Sequence, residues 1–361
     1  MRSSSTRPGL FARLPGLLAT YTVTTSHLLV DNWWTEFLRF GLPFVLMVSL
    51  VVMALAVILR PTWPHFIMPV VLFLVTMKPM RETCVLALRP EPIGHDFTVM
   101  SFNAALFNPY RPHTLDSHPE LYHQFYDHLR AEPAADVLCI QEFFHSSQAV
   151  EELAVDSIVH LGDYSFFYAN PSFDEKYQGM VSAAIFSRLP VVGSGRVDLS
   201  GSLYDGCWSD VVAKADTVRV VNFQLRSMSI RPLWVHRLDL VGNLVFNLLN
   251  IHDRLRAGWT ARRKEMDEID AFLTASPHPV IVCADINALP YSTTYQRLKR
   301  RYANSFETAG SGFGFTYHHF PWLIRIDNQF FDARLRATWF HTRRDLHISD
   351  HYPIMTGYAV E

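Results

Sequence analysis

Residues 279–287, PVIVCADIN, decide the fold of this 361-residue chain. A short apolar run rich in β-branched residues follows a proline and ends on two polar ones, the pattern of a fully buried strand. Such a strand needs pairing neighbours in a sheet and helices over its faces. The neighbours are legible as FTVMSFN (97–103), ADVLCIQE (135–142), MVSAAIFS (180–187) and VRVVNFQL (218–225). Helical stretches, including 119–130 and 260–272, alternate with them, so residues 90–361 are expected to form one α/β domain. There is no internal repeat and no low-complexity tract.

The apolar runs stop on a recurring kind of residue. Asn103 follows TVMSF, Glu142 follows DVLCIQ, Asp285 and Asn287 follow VIVCA, Asp327 follows LIRI, and Asp350-His351 follow HIS. Strand ends along one sheet edge are where α/β folds gather their sites. A single acidic strand end reads as a turn residue, but five that converge read as a site. Cys84, Cys139, Cys207 and Cys283 have no paired spacing, so neither a zinc site nor a redox pair is indicated.

The ordered set SFN, IQE, SRLP (187–190), ADIN, RID and SDHYP resembles the endonuclease/exonuclease/phosphatase superfamily, with its deoxyribonuclease-I-like fold, from about Phe97 to the C-terminus. GFGFT (312–316), together with the apolar head described below, is similar to the bacterial membrane-anchored branch that includes the vancomycin-resistance protein type. The resemblance implies an α/β four-layered sandwich, two packed mixed sheets flanked by helices, preceded by an N-terminal transmembrane helical segment. It implies Glu142 as principal metal ligand, with Asn103 and Asp350 supporting it. Asp285 would be the general base, Asn287 a donor to the phosphate, and His351, charged and oriented by Asp327, a contact to the scissile phosphate. Asn222 and Arg262 are carried over as substrate-side residues, although Arg262 in ARRKE also fits an ion-pair partner. The chemistry agrees: hydrolysis of an anionic phosphoester needs a divalent cation and a base for water. Oxygen donors from Asn, Glu and Asp favour Mg²⁺, then Mn²⁺.

Three departures from the family pattern stand out. Gln224 occupies a place where histidine is common, and an amide donates a hydrogen bond but transfers no proton. Ala284 replaces a usual glycine. Asn328 stands where an aromatic or histidine is more usual, which would leave the base or sugar side of a nucleic-acid site unsupported.

The remainder of the chain points to a membrane. Residues 1–89 hold eight Lys/Arg against three Asp/Glu, whereas 90–361 hold twenty-four against thirty-one, so the formal charge of −2 joins a head at +5 to a body at −7. Mean hydropathy of +0.07 is the average of these unlike parts. A body at −7 lacks the cationic field for sequence-independent nucleic-acid binding. Residues 40–59 carry no charge and are expected to span the ~30 Å hydrocarbon layer. Residues 63–78 form a second candidate span and 14–30 a weaker one. Three spans place the body outside the cytoplasm and two return it inside; loop charge is compatible with both. The apolar segment 226–263 reads either as an amphipathic helix closing the sandwich or as an interfacial helix on the bilayer. The expected protein is a membrane-anchored phosphoesterase of the bacterial cytoplasmic membrane, its catalytic domain extracytoplasmic. A phosphorylated lipid or other envelope-associated ester is the expected substrate. A nuclease and a catalytically impaired scaffold are the alternatives.

Overall fold

The computed structural model describes residues 10–28, 31–58, 64–86, 94–107, 120–131, 135–145, 155–170, 172–174, 179–200, 205–227, 240–318 and 324–361. The head is helical: α1 (Leu10–Thr22), continued by one π turn (Val23–His27), then α2 (Trp33–Phe40), α3 (Leu42–Ile58) and α4 (Pro64–Thr83). Asn32 starts α2 by accepting a hydrogen bond from the Trp34 amide at 3.0 Å. Helix α3 is apolar on every face. Proline at the first position of α4 suits a turn whose amide would have no helical partner.

No helix among the described residues is long and apolar enough to cross a membrane. The expected spans are therefore corrected. The described part of α3, 17 residues, is about 26 Å long at 1.5 Å each. Helix α4 is longer, but its last turns carry Lys78, Arg81 and Glu82. What the helices do present is an exposed apolar face, with Phe44, Met47, Val51 and Ile58 on α3 and Ile67, Val70, Phe73 and Leu74 on α4. The boundary expected near residue 89 lies outside the described residues.

A two-residue strand β1 (Cys84–Val85) leaves the head, and β2 (Phe97–Asn103), α5 (Glu120–Ala131), β3 (Val137–His145), α6 (Val155–Gly162), β4 (Phe166–Ala169), β5 (Ser172–Asp174) and β6 (Gly179–Ser187) follow. Next come β7 (Val191–Val197), β8 (Gly206–Ala213), β9 (Asp216–Gln224), the 35-residue α7 (Leu240–Thr274) and β10 (Val280–Asp285). The chain ends with α8 (Thr293–Lys299), β11 (Ala303–Asn304), α9 (Ser305–Ala309), β12 (Gly312–Phe313), β13 (Asp327–Phe331), β14 (Leu335–Thr342) and β15 (Ile354–Val360). One sheet runs β14-β15-β2-β3-β6-β4 with β5 beside β6, the other β11-β13-β10-β9-β8-β7. Both are mixed, since β2/β3 and β9/β10 are parallel and their other pairs antiparallel.

Period-two alternation sorts the side chains into layers. Val99, Val137, Cys139, Val220, Ile281 and Cys283 fill the space between the sheets. The opposite faces take helices: Phe102, Leu138 and Ile140 meet Phe125 and Leu129 of α5, while Val221, Phe223 and Val282 meet Met266, Ile269 and Leu273 of α7. Helix, sheet, sheet and helix give the four expected layers. Cys139, Cys207 and Cys283 are free and buried, as small apolar fillers.

The segment expected as an insertion is helical from Leu240 onward and continues without a break through Arg262 into the layer over β9 and β10. The head docks on this body. Leu42 and Leu46 of α3 pack with Leu289 and Tyr291, the residues just past Asp285-Asn287. Strand β1 pairs antiparallel with β12.

Candidate active site

Three strands, one from the first sheet and two from the second, end at one edge of the sandwich, and their terminal residues converge. Asn103 closes β2, Gln224 closes β9 and Asp285 closes β10, with Gln224 and Asp285 in register across the parallel pair. Glu142 arrives by another route. The ladder between β3 and β6 skips from Ile140 to Phe143, and in this bulge Glu142 adopts φ +46°. A left-handed conformation at a glutamate is strained, and such strain collects at functional sites. Here it turns the carboxylate of one sheet toward that of the other.

Amides hold the two carboxylates together. Asn103 Nδ2 donates to Glu142 Oε1 at 3.2 Å and to Asp285 Oδ2 at 3.0 Å, and its Oδ1 accepts from the Ala105 amide at 2.8 Å. Gln224 Nε2 donates to Glu142 Oε1 at 2.7 Å and to Asp285 Oδ2 at 3.4 Å. The departure from histidine thus leaves a side chain that knits both carboxylates. Asn287, at φ +47°, donates its backbone N–H to Asp285 Oδ1 at 2.9 Å. Its Nδ2 donates to Asp285 Oδ2 at 3.2 Å and to the Leu225 carbonyl at 3.0 Å. Both amide hydrogens are spent inside the protein, so in this arrangement Asn287 orients Asp285 rather than reaching outward to phosphate.

Beside this cluster lies the Asp327–His351 pair. Asp327 begins β13 opposite Asp285, and its Oδ2 is 2.8 Å from His351 Nδ1. Thr316 Oγ1, from the GFGFT segment, accepts the amides of Ile326 and Asp327 at 3.2 and 3.1 Å and fixes that strand start. The Tyr317 ring stands edge-on to His351 with centroids 5.0 Å apart. Asp350 is partly exposed and lies 4.0 Å from His351 Nε2. Ser349 Oγ donates to the Asn103 carbonyl at 2.7 Å, joining this loop to β2. Thr316, Tyr317 and Ser349 were not singled out in the sequence; the GFGFT and SDHYP segments were their only signal.

Burial and charge set the protonation states. Asp285 is pushed up to about 7, first by burial and then by the Asp327 charge, against the pull of His351, Asn103 and the Asn287 amide. Burial alone would lower His351, but the charge and hydrogen bond of Asp327, then Asp350 and Asp285, raise it to about 10. The ring is therefore an imidazolium at neutral pH. Donor atoms of Asp285, Asp327 and His351 lie within 4.8 Å of one another. A protonated ring offers no lone pair to a metal, whereas the Glu142 side presents a carboxylate. There Glu142 Oε2 has no hydrogen-bond partner among the described residues.

Two expected substrate residues are placed elsewhere. Asn222 is fully buried between the sheets, where Nδ2 donates to the carbonyls of Ile140 at 2.9 Å and Ala184 at 2.8 Å and Oδ1 accepts from Gln141 at 2.6 Å. Arg262, in the middle of α7, is itself buried, and its Nη1 donates to the Arg226 carbonyl at 3.1 Å. Neither has surface to offer a substrate. Asn328 faces the opposite side of β13 from Asp327, hydrogen-bonded to Asn304 and Arg325, so it does not border the cleft. Its identity is no argument against nucleic acid. Ala284 is buried in the layer against α7.

Residues 100–351 match the Endonuclease/Exonuclease/phosphatase family. Among solved structures the chain is similar to an endonuclease/exonuclease/phosphatase from Beutenbergia cavernae (16% identity, covering 74% of this chain and 72% of that one, TM-score 0.53). It is similar also to one from Bacteroides vulgatus (15%, 73% and 99%, 0.53) and to D. rerio TDP2 complexed with single strand DNA product (12%, 73% and 99%, 0.51). At these identities the structures establish the fold. No curated protein matches, and none of these matches bears on the vancomycin-resistance type of branch.

Proposed function

Because the chain belongs to the endonuclease/exonuclease/phosphatase family and is a metal-dependent phosphoester hydrolase, we propose that it is a membrane-seated, Mg²⁺-dependent enzyme whose substrate is a phosphate ester carried by a lipid or held at the cell envelope. The observation that carries the catalytic part is the meeting of Glu142 and Asp285, one from each sheet, on the shared amides of Asn103 and Gln224 beside a charged Asp327–His351 pair. The exposed apolar face of α3 and α4 supports the membrane seat.

Glu142 and Asp350 would hold the cation through carboxylate oxygens, a hard donor set that fits Mg²⁺, while Asn103, whose Nδ2 faces the carboxylates, would support Glu142. When bound, the metal supplies charge neutralisation at the phosphate. The chain's own residues supply the rest. Asp285 takes a proton from water, and its carboxylate is aimed by both nitrogens of Asn287. His351 donates from Nε2 to a phosphoryl oxygen and stabilises the charge that grows there, held in the charged form by Asp327. Gln224, its amide nitrogen engaged with both carboxylates, gives the leaving oxygen no proton, which favours esters with good leaving groups.

Hydrolysis of DNA or RNA is the second reading, favoured by the likeness to the DNA-bound TDP2 structure and opposed by the −7 body. The two separate in one experiment on the detergent-purified full chain. Phospholipid, prenyl diphosphate, bis-p-nitrophenyl phosphate and plasmid are offered with Mg²⁺ or EDTA, to the parent, Glu142→Ala and Asp285→Ala. Lipid turnover that needs the metal and both carboxylates is expected. Rapid plasmid nicking without lipid turnover overturns the proposal.

A further inference from the structure

Just past the end of β9, a groove of about 620 Å³ opens between the strand and the middle of α7. Its polar lining is Ser200, Arg226, Asp253, Arg256, Thr260 and Lys264, three cations against one carboxylate. Arg256, Thr260 and Lys264 are spaced four residues apart, so they stand on one face of α7. Ala257 and Ala261 lie between them, and their short side chains keep the groove open. Most cations of this body are paired: Arg263 reaches Asp31 at 3.6 Å, Arg297 reaches Asp270, and Arg219 reaches Asp210. Arg256 and Lys264 are exposed and have no acidic partner among the described residues.

The groove has two neighbours that define its use. Arg226 comes two residues after Gln224, about 7 Å along an extended chain, and its backbone is pinned by Glu265 at 2.8 Å and Arg262 at 3.1 Å. The cationic groove is thereby fixed to the catalytic edge. On the other side α2 packs along α7, and Asp31 ties it there through Trp259 Nε1 at 3.1 Å. Helix α2 carries the stacked Trp33 and Trp34, the latter exposed, a pairing suited to a membrane–water boundary.

We infer that this groove is a subsite for a second anionic group on a membrane-borne phosphoester, such as an anionic lipid headgroup. The inference rests on the membrane reading given above. A guanidinium forks onto two oxygens of a phosphate or carboxylate, while the ammonium of Lys264 adds a second point of attraction. The volume lies within the range of small-ligand sites. A substrate held here by one anionic group presents its scissile phosphate to Asp285 and His351.

The discriminating measurement is kcat/KM in nanodiscs for an anionic phospholipid relative to bis-p-nitrophenyl phosphate. The double variant Arg256→Ala/Lys264→Ala is expected to lower that ratio at least tenfold, mainly through KM, and Lys264→Glu to lower it in the same direction. Arg256→Lys should retain part of it. An unchanged ratio overturns the inference, as does an equal loss on a zwitterionic phospholipid or a parallel loss on plasmid DNA. If the parent turns over bis-p-nitrophenyl phosphate but no lipid, the membrane-substrate reading has failed instead. Titration of the EDTA-treated chain with inorganic phosphate then judges the groove alone. Affinity at least tenfold weaker in the double variant supports an anion site, and identical isotherms sink it.

Discussion

Asp327→Asn isolates the charge that keeps His351 protonated. His351 is 6% exposed, and its Nδ1 lies 2.8 Å from Asp327 Oδ2. Burial lowers a histidine, yet this one is raised from 6.5 to about 10, chiefly by Asp327. That rise is worth about 5 kcal/mol of preference for the charged ring. The asparagine keeps the shape and removes the charge, leaving Asp350 at 4.0 Å and Asp285 to oppose burial. The ring should then titrate near or below about 7, close to an ordinary histidine.

The consequence is a change in the pH profile rather than a uniform loss. In the parent the base is ionised above about 7 and the imidazolium survives to about 10, so kcat/KM should be flat between them. In the variant the upper limit collapses onto the lower. About 10% of rings remain charged at pH 8 and about 1% at pH 9, so the loss grows to about 100-fold at pH 9, falls to about twofold at pH 7 and vanishes below it. Stability has the matching sign. A raised histidine stabilises the fold fully below 6.5 and loses that contribution as pH climbs through about 10. The variant is therefore expected to be less stable than the parent at pH 6 and to approach it above pH 10. The rate profile is read with bis-p-nitrophenyl phosphate, and the ring by nitrogen NMR in EDTA. A variant plateau that persists to pH 9, or a variant ring that still titrates near 10, refutes the reasoning.

Three further outcomes are expected. Asp285→Asn should abolish turnover; in EDTA it should also gain stability relative to the parent as pH rises from 3.8 to about 7, reaching about 4 kcal/mol above that, because the unfolded carboxyl ionises in this window while the folded one stays protonated. Urea midpoints at pH 5 and pH 8.5 check the sign. Gln224→His restores a proton donor near the leaving group and should raise the rate on alkyl esters about tenfold with little effect on p-nitrophenyl esters; no change would mean that protonation of the leaving group does not limit turnover. Asn222→Ala strips two buried carbonyls and Gln141 of their partner and should cost about 3 kcal/mol in thermal melts, with KM for every substrate unchanged, since Asn222 has no surface.

Strand ends were legible because chemistry interrupts an apolar run at a definite place. Asn103, Glu142, Asp285, Asp327 and His351 could each be read as the polar stop after a buried strand, and the structure gathers them at one edge. Depth along a strand was not legible. Asn222 and Gln224 share a face of β9, yet Gln224 emerges into the cleft while Asn222, two residues earlier, stays between the sheets. Which face a residue takes was equally hidden at Asn328, which turns away from the site because Asp327 beside it turns inward. The bulge at Glu142 and the spent amide of Asn287 depend on backbone angles that residue identity alone does not specify. Length was also misleading in the head. Hydropathy marked 40–59 as one span, but α2 ends at Phe40 and α3 begins at Leu42, and no helix among the described residues is long and apolar enough to cross.

The charge split between head and body suggested an anchor tied to an independent enzyme, but the contacts between them are of another kind. Glu82, 2% exposed, accepts from Gln296 at 2.9 Å and pairs with Lys299 at 3.0 Å, and Lys299 also pairs with Glu307. Arg325 donates to the Glu82 carbonyl at 2.5 Å, two residues before Asp327. On the other flank Leu42 and Leu46 press on Leu289 and Tyr291, just beyond Asp285. Buried ionic contacts of this sort add little net stability, because desolvation offsets the attraction, but they admit few alternative arrangements. A flexible tether would let the cleft face any direction above a membrane. A head locked to both sides of the cleft fixes the catalytic edge relative to its own apolar face, so with that face seated in a membrane as proposed, a substrate restricted to the membrane surface would meet Asp285 and His351 in one orientation. That restriction lowers the entropy lost in reaching the transition state, an advantage to an ester anchored in the membrane and none to one diffusing freely.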